Sequence, residues 1–125
     1  MCKGPRVSIV DDDESVREAI KSLLRSVGVR ADSFASAEEF LNSGYQNDAG
    51  CLILDVRMPG MGGLELQQRL AFAGRRIPII FITAHASDEE ARRRALQSGA
   101  IDFLLKPFNE EVLLNDVYTA LSREW

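Results

Sequence analysis

Cysteine, histidine and long apolar runs are all scarce in this sequence of 125 residues. Its two cysteines, Cys2 and Cys51, form neither a CxxC pair nor the spaced framework of a secreted protein, so we expect free thiols in a reducing cytoplasm. No run approaches the ~20 apolar residues that a membrane span requires, and the N-terminus lacks the apolar core of a secretory signal. These absences predict a soluble, cytoplasmic protein with no membrane partner.

An excess of basic residues is also missing. The sequence has 19 acidic and 15 basic residues, a net charge of −4, and no long basic stripe that could neutralise a phosphate backbone. This balance disfavours direct nucleic-acid binding by this segment. The densest basic run, 92–94, follows an acidic run, 88–90, which is typical of a solvated helix face; a docking surface is the alternative.

Apolar residues make up 46% of the chain, which is enough to form one buried core. No linker, repeat or low-complexity segment interrupts the pattern, so we expect residues 1–125 to form one domain. Short apolar segments alternate with segments of helical periodicity, which end at glycines. The predicted strands cover residues 6–11, 29–34, 51–56, 78–83 and 101–105, the first four helices end near Gly28, Gly44, Gly74 and Gly99, and a fifth begins near Asn109.

Two helix starts carry a capping-box pattern, in which a serine is followed three residues later by glutamate. The pattern occurs at Ser36–Glu39 before the second helix and at Ser87–Glu90 before the fourth. The central strands are almost entirely apolar, as in a parallel sheet whose two faces are covered by right-handed crossover helices. We therefore predict a doubly wound α/β fold.

The polar residues at the carboxyl ends of the strands are the candidate site, because open α/β sheets bind ligands at that edge. These residues are Asp11, Asp12, Asp55, Thr83 and Lys106. Three carboxylates in one crevice would repel one another without a cation among them, and hard oxygen ligands suit Mg²⁺. A hydroxyl and an ammonium opposite that metal would hold a phosphoryl group, and Asp55 would be the nucleophile that forms an aspartyl phosphate.

Each acid also has a plainer interpretation. An aspartate at a strand end is more often a helix cap or a turn residue, and we interpret Asp13 in that way. The joint occurrence of all five polar residues at the strand ends of one fold favours phosphoryl chemistry, because independent capping roles would rarely produce it.

The motifs at these strand ends resemble those of the receiver domains of two-component response regulators, over residues 7–121. They are Val10-Asp11-Asp12, Asp55 to Gly63 with Met58-Pro59 inside it, Thr83-Ala84, and Phe103 to Phe108 with Lys106-Pro107 inside it. The resemblance implies a flavodoxin-like five-stranded parallel sheet in the order 2-1-3-4-5. It also implies a peptide bond before Pro107 that is usually cis. Among receivers the sequence is similar to the NarL/FixJ kind.

The resemblance assigns roles to the candidate residues. Asp55 is the expected phosphoacceptor, and Thr83 and Lys106 are the expected phosphoryl-binding pair. The expected Mg²⁺ ligands are Asp11, Asp12, Asp55 and the main-chain oxygen of Arg57. The expected donor is a sensor histidine kinase that carries phosphohistidine.

A switch is also implied. Phosphorylation is expected to draw the Thr83 hydroxyl inward, Phe103 to move into the space left behind, and Pro107 to belong to the same set of switch residues. Arg57 and His85, two residues after Asp55 and Thr83, are expected to tune the lifetime of the phosphoaspartate, although His85 is also explained as an exposed loop residue.

The expected output surface consists of the fourth helix, the fifth strand and the fifth helix. The fourth helix has few apolar anchors, and the apolar stripe of the fifth is wider than its sheet-facing side needs, for which a broader core is the alternative. We expect a phosphorylation-dependent homodimer and contact with DNA only through a C-terminal domain absent from this sequence. The chain is then a receiver excised from a longer transcription factor, or else a stand-alone receiver.

Three other functions remain as alternatives. An aspartate-nucleophile phosphohydrolase typically carries a second acid two residues after its nucleophile, where this chain has Arg57. FMN binding needs a phosphate cradle rich in hydroxyl and amide groups, but the loop after the first strand is acidic. A pseudo-receiver is disfavoured because every phosphorylation position is filled. We therefore expect a switch and not a turnover enzyme.

Overall fold

The computed structural model describes residues 6–44, 49–85 and 87–122 of the chain. Five strands alternate with five helices along this part of the sequence. In chain order they are β1 (Arg6–Val10), α1 (Glu14–Ser26), β2 (Ala31–Phe34), α2 (Ala37–Ser43), β3 (Ala49–Asp55), α3 (Gly63–Phe72), β4 (Ile79–Thr83), α4 (Glu89–Gln97), β5 (Asp102–Leu105) and α5 (Glu110–Leu121). The alternation predicted from the apolar pattern is confirmed.

The strands form one sheet in the order β2-β1-β3-β4-β5, and every neighbouring pair is parallel. Parallel pairing brings all carboxyl ends to the same edge. Asp55 lies beside Ile82 in the register of β3 and β4, and Thr83 lies beside Leu105 in that of β4 and β5. The doubly wound, flavodoxin-like fold and its strand order are therefore confirmed.

Alternate residues of the central strands enter two separate cores. In β3, Leu52 and Leu54 belong to the core under α2, α3 and α4, whereas Cys51 and Ile53 belong to the core under α1 and α5. All four are completely buried. Because each buried leucine or isoleucine contributes about 1.5–3 kcal/mol, this middle strand is a stable base for the carboxylate at its end.

The two cysteines were expected to be free thiols. Cys51 is free and buried. Burial, and to a smaller extent the charge of Asp116, raises the pKa of its thiol to about 12, so it acts as a small apolar side chain. Cys2 lies outside the described residues. No helix among the described residues combines the length and apolar character needed to cross a membrane.

Two of the predicted helix caps are confirmed. Asp13 precedes α1 and accepts a hydrogen bond from the Ser15 backbone N–H at 2.9 Å. Ser36 precedes α2 and accepts from the Glu39 N–H at 3.0 Å, while Glu39 Oε1 accepts from the Ala35 N–H. Both loops are thereby fixed by side chains that lie close in sequence.

The predicted capping box at Ser87–Glu90 is wrong. The residue that precedes α4 is Asp88, and it makes no side-chain capping hydrogen bond. Its carboxylate instead forms an ion pair with the guanidinium of Arg57. The three arginines that follow, 92–94, are all exposed, as predicted for a solvated helix face.

Candidate functional site

Three acids meet at the carboxyl edge of the sheet. One carboxylate oxygen from each of Asp11, Asp12 and Asp55 lies within 4.8 Å of the others. Asp11 is completely buried and Asp55 is 6% exposed, whereas Asp12 faces solvent. Asp11 is held in place because its Oδ1 accepts the Asp13 N–H at 2.8 Å. The strand ends therefore bring together the three carboxylates proposed from the sequence.

Lys106 is the cation closest to this cluster among the described residues. Its Nζ lies 2.8 Å from Asp11 Oδ2 and 3.7 Å from Asp55 Oδ2. Its backbone N–H donates to the Thr83 carbonyl at 2.7 Å, so the ends of β4 and β5 remain together. Burial lowers the pKa of Lys106, but the hydrogen bond to Asp11 and the charges of Asp55, Asp11 and Asp13 outweigh it, and the pKa is raised.

Lys106 balances only part of the negative charge of the three carboxylates. Burial of Asp55 and the nearby charge of Asp11 raise the pKa of Asp55 to about 7, although Lys106 acts in the opposite direction. Asp11 Oδ2 is buried and, apart from its ion pair with Lys106, has no hydrogen-bond partner among the described residues. A crevice in which three carboxylates face one ammonium, that of Lys106, fits a hard divalent cation.

The loop after β3 is fixed by contacts that the sequence motifs did not reveal. A Cβ added to Gly63 would lie 2.3 Å from the Asp55 carbonyl oxygen, so only glycine allows α3 to begin this close to the site. Glu38 in α2 accepts the Met61 N–H at 3.1 Å and anchors the middle of the loop. Gly63 stood within the matched motif, whereas nothing in the sequence pointed to Glu38.

Thr83 lies at the end of β4 and is 1% exposed. Its Oγ1 accepts the backbone N–H of His85 at 3.1 Å, which leaves the hydroxyl hydrogen to act as a donor. The His85 side chain is exposed, consistent with its plainer interpretation as a loop residue. The Thr83 hydroxyl is thus at the correct edge of the sheet for the role expected of it.

The main chain and the side chain of Arg57 point to different partners. Its N–H makes a long contact of 3.4 Å with Asp55 Oδ1. Its guanidinium donates from Nε and Nη2 to the two carboxylate oxygens of Asp88, at 2.9 and 2.8 Å. The hydrogen bond to Asp88, and then its charge, raises the pKa of Arg57. The guanidinium is therefore bound to the start of α4 and not to the acidic cluster.

Phe103 lies in β5, beside Phe81 in the register of β4 and β5. Its ring is partly buried and packs against Phe81 with 6.1 Å between centroids. With Thr83 it lines a cavity of about 170 Å³, whose other lining residues are His85, Asp88, Glu89, Arg92 and Leu105. The peptide bond between Lys106 and Pro107 is cis, as the resemblance predicted.

The predicted output surface, α4, β5 and α5, combines a helix with small buried side chains and several exposed apolar residues. In α4 the buried residues are Ala91 and Ala95. Five large apolar side chains are exposed among the described residues, and three of them, Leu105, Val112 and Tyr118, lie on β5 and α5. All three residues therefore lie on elements of the expected output surface.

Comparisons with known proteins agree with this geometry. The family model described as response regulator receiver domain matches residues 7–118. Response regulator protein TmoT from Ectopseudomonas mendocina is 54% identical over 115 residues, which cover 92% of this chain and 52% of that protein. Transcriptional regulatory protein FixJ from Azorhizobium caulinodans is 40% identical over 117 residues, which cover 94% of this chain and 55% of that protein. The crystal structure of FixJ-N is 35% identical with a TM-score of 0.87, covering 99% of this chain and 98% of that chain.

The chain spans about half the length of these two curated relatives. The family model covers nearly all of the sequence, and the solved FixJ-N chain is matched almost from end to end. The similarity to FixJ also agrees with the expected NarL/FixJ kind of receiver. The chain therefore belongs to the receiver domain family of two-component response regulators.

Proposed function

We propose that this chain is the phosphoacceptor domain of a cytoplasmic transcriptional response regulator. It takes a phosphoryl group from the phosphohistidine of a sensor histidine kinase onto Asp55 in a Mg²⁺-dependent reaction. The observation that carries the proposal is the meeting of Asp55 with Asp11, Asp12 and Lys106 at one edge of the sheet. Its membership of the receiver family supports the same chemistry.

The residues that would hold Mg²⁺ are Asp11, Asp12, Asp55 and the main-chain oxygen of Arg57. When bound, the ion supplies positive charge that reduces repulsion among the carboxylates and the incoming phosphoryl oxygens. The set of donors supports this assignment, because three carboxylates face a single ammonium, and the buried Asp11 Oδ2 has no partner other than Lys106 among the described residues.

Asp55 acts as the nucleophile. One of its carboxylate oxygens forms a bond to phosphorus while the bond from phosphorus to the histidine nitrogen breaks, and the imidazole departs with that electron pair. Lys106 Nζ, now beside Asp11 and Asp55, binds a phosphoryl oxygen, and the Thr83 hydroxyl donates to another. The protein's part is to position these groups and balance their charge.

The switch extends from Thr83 to Phe103. As Thr83 moves toward the phosphoryl group, the Phe103 ring moves into the cavity of about 170 Å³ that the two residues share. This movement, with the adjoining Pro107 loop, changes the surface of α4, β5 and α5. The few buried anchors of α4 support a shift of that helix.

The changed surface promotes formation of a homodimer and controls a separate DNA-binding domain of the full-length regulator. The exposed side chains of Leu105, Val112 and Tyr118 provide the apolar part of the dimer contact. Residues 1–125 form the receiver part of that longer protein. The regulators that resemble this chain are about twice its length, which supports an additional domain.

Acetyl phosphate and mass measurement test the central claim. Wild-type protein incubated with Mg²⁺ and acetyl phosphate should gain the mass of one phosphoryl group, and hydroxylamine should remove it. Asp55→Asn should gain none. Glu18→Gln is the matched control, because Glu18 is an exposed acid on α1 and lies outside the carboxylate cluster. An adduct of equal yield in Asp55→Asn would show that the phosphoacceptor is another residue.

Sedimentation analysis tests the proposed dimer. With beryllofluoride and Mg²⁺ as a phosphate mimic, the wild-type protein should shift from monomer to dimer, whereas Tyr118→Glu should remain monomeric. Phe72→Glu is the control, because Phe72 is also exposed but lies on α3, away from the proposed surface. A wild-type protein that stays monomeric with the mimic bound contradicts the dimer proposal.

A further inference from the structure

We propose that Arg57 and Asp88 form a latch between the phosphoacceptor loop and α4, and that phosphorylation of Asp55 opens this latch. The closed latch is the bidentate ion pair in which both Asp88 oxygens accept from the Arg57 guanidinium. The inference rests on the phosphoacceptor function proposed above, because opening depends on a phosphoryl group at Asp55. Both residues are positioning residues that determine where α4 begins.

Asp88 has two competing uses. It is the N-cap residue of α4, where an aspartate normally accepts hydrogen bonds from the free N–H groups of the first turn. It makes no such bond here: Arg57 binds both carboxylate oxygens, and the Asp88 backbone, with φ −84° and ψ 49°, is not in the extended conformation of a capping residue. Asp13 and Asn109 occupy the same position before α1 and α5, and both cap their helices. The latch and the helix cap are therefore alternative states of one carboxylate.

The rest of α4 is attached to the protein body by few contacts. Its buried side chains are Ala91 and Ala95, which are small and bury little apolar area. Gln67 in α3 donates from Nε2 to the Ala95 carbonyl at 3.2 Å near the far end of the helix. An ion pair at the first residue therefore has a strong influence on the position of the N-terminal turn.

Arg57 also connects the latch to the phosphorylation site. Its N–H contacts Asp55 Oδ1, and its side chain is 58% exposed, so the guanidinium has room to rotate. A phosphoryl group carries a charge of about −2 and three acceptor oxygens, and guanidinium binds such groups through two parallel hydrogen bonds. A phosphoryl on Asp55 is thus a stronger partner for Arg57 than the single charge of Asp88.

Opening the latch has a defined consequence for α4. The backbone of Asp88, released from Arg57, becomes extended like that of Asp13 and Asn109, and its carboxylate turns to the first-turn N–H groups and caps the helix. Asp88 also lines the cavity shared by Thr83 and Phe103, so its movement changes the same space that the aromatic switch uses. The latch therefore adds a second connection from Asp55 to the output surface, by way of Arg57 and not Thr83.

Hydrogen exchange in the first turn of α4 tests the competition without any phosphodonor. Arg57→Gln removes the ion pair and frees Asp88 to cap, whereas Asp88→Ala removes both the ion pair and the cap. Protection of the first-turn amides should rise about fivefold in Arg57→Gln, the factor that one side-chain cap provides, and should not rise in Asp88→Ala. Arg69→Gln, which removes an exposed ion pair with Glu65 on α3, should leave α4 unchanged.

The two variants separate the latch from an ordinary structural ion pair. If the pair only stabilises the fold, both changes loosen the first turn in the same direction, and the latch proposal is wrong. Unchanged protection in Arg57→Gln overturns it equally. Arg57→Lys gives an additional check, because an ammonium cannot reproduce the bidentate contact and should give protection between the wild-type and Arg57→Gln values.

The connection to Asp55 is tested by the nitrogen-bound proton of Arg57 Nε in nuclear magnetic resonance spectra. In the wild-type protein this signal should move when acetyl phosphate and Mg²⁺ are added, and first-turn protection should rise to the Arg57→Gln value. If mass measurement shows phosphoryl on Asp55 but neither observable changes, the latch proposal fails and the proposed function stands. If no phosphoryl is gained, the proposed function fails, and the exchange experiment alone decides whether ion pair and cap compete.

Discussion

Replacing Asp55 by asparagine should stabilise the metal-free protein at pH 8. Asp55 is nearly buried beside Asp11, and burial together with that neighbouring charge raises its pKa to about 7. At pH 8 its ionised form is therefore kept in an environment that disfavours it, because Lys106 compensates only part of the charge. Asparagine has nearly the same shape and no charge, so it removes this repulsion.

The size of the effect follows from the shift in pKa. A rise in pKa from 3.8 to about 7 destabilises the folded protein by at most roughly 4 kcal/mol above pH 7. The conversion is that a difference of one in pKa corresponds to about 1.36 kcal/mol. Water reaches the rim of the site at the exposed Asp12, and Asp55→Asn also removes one partner of Lys106. Screening and this lost attraction reduce the expected gain to about 2 kcal/mol.

The pH dependence has a definite sign. Because the pKa of Asp55 is higher in the folded than in the unfolded chain, the folded state binds more protons between about pH 4 and pH 7. The free energy of unfolding of the wild type therefore falls as pH rises through this range. The advantage of Asp55→Asn should be largest at pH 8 and should almost disappear near pH 4.

Urea denaturation between pH 4 and pH 8 in the presence of a chelator is the appropriate assay, with Glu18→Gln as an exposed acid control on α1. Addition of Mg²⁺ at about 100 times its dissociation constant should then stabilise the wild type by roughly 2.7 kcal/mol and the variant by less. If Asp55→Asn is neutral or destabilising at pH 8 without metal, the proposed repulsion among the carboxylates is wrong.

Three further predictions concern residues outside the carboxylate cluster. Burial, and then the hydrogen bond and charge of Asp102, raise the pKa of Asp116 to about 7, so Asp116→Asn should flatten the fall in stability between about pH 4 and pH 7. Gly63→Ala should destabilise the fold by about 2 kcal/mol or more, because its Cβ would lie 2.3 Å from the Asp55 carbonyl. Ser36→Ala should lose about 1 kcal/mol with its helix cap, measured by urea denaturation as for the other two.

Each of these three predictions has a result that would contradict it, and two of them have a control variant. An unchanged pH profile in Asp116→Asn would contradict the raised pKa of Asp116. Gly62→Ala meets the nearest backbone oxygen at 3.2 Å and should be milder than Gly63→Ala; equal losses would rule out a specific clash with Asp55. Ser36→Thr keeps a capping hydroxyl and should retain most of the stability, whereas a loss equal to that of alanine would point to packing instead.

The sequence predicted the parts of the structure that depend on local pattern. Alternating apolar segments located the five strands, and the topology then brought the strand-end residues Asp11, Asp55 and Lys106 together. Parallel pairing explains this success, because residues at the ends of different strands meet at one edge whatever their separation in sequence. The second strand was predicted to begin at residue 29, but it begins at Ala31. The Val29 N–H donates to the Leu24 carbonyl at the end of α1 and is therefore not free to pair with β1.

Contacts between distant side chains could not be predicted in this way. Arg57 and Asp88 are 31 residues apart, and their pairing depends on how the loops after β3 and before α4 are placed in space. The failed capping box at Ser87 has the same cause, because local spacing describes a helix start in isolation, whereas the Asp88 carboxylate is bound by a residue from another loop.

The balance of charge at the site explains why Arg57 is suited to respond to phosphorylation. When all are ionised, the three carboxylates together with Lys106 carry a net charge of −2, which one Mg²⁺ would balance, while the Arg17 guanidinium donates to the Asp11 carbonyl oxygen. A phosphoryl group of charge about −2 in place of the single charge on Asp55 creates one further negative charge. Arg57 is a cation in the same loop, and its present partner Asp88 has an alternative use at the start of α4. Exchange of partners therefore balances the new charge while no carboxylate is left without a hydrogen-bond donor.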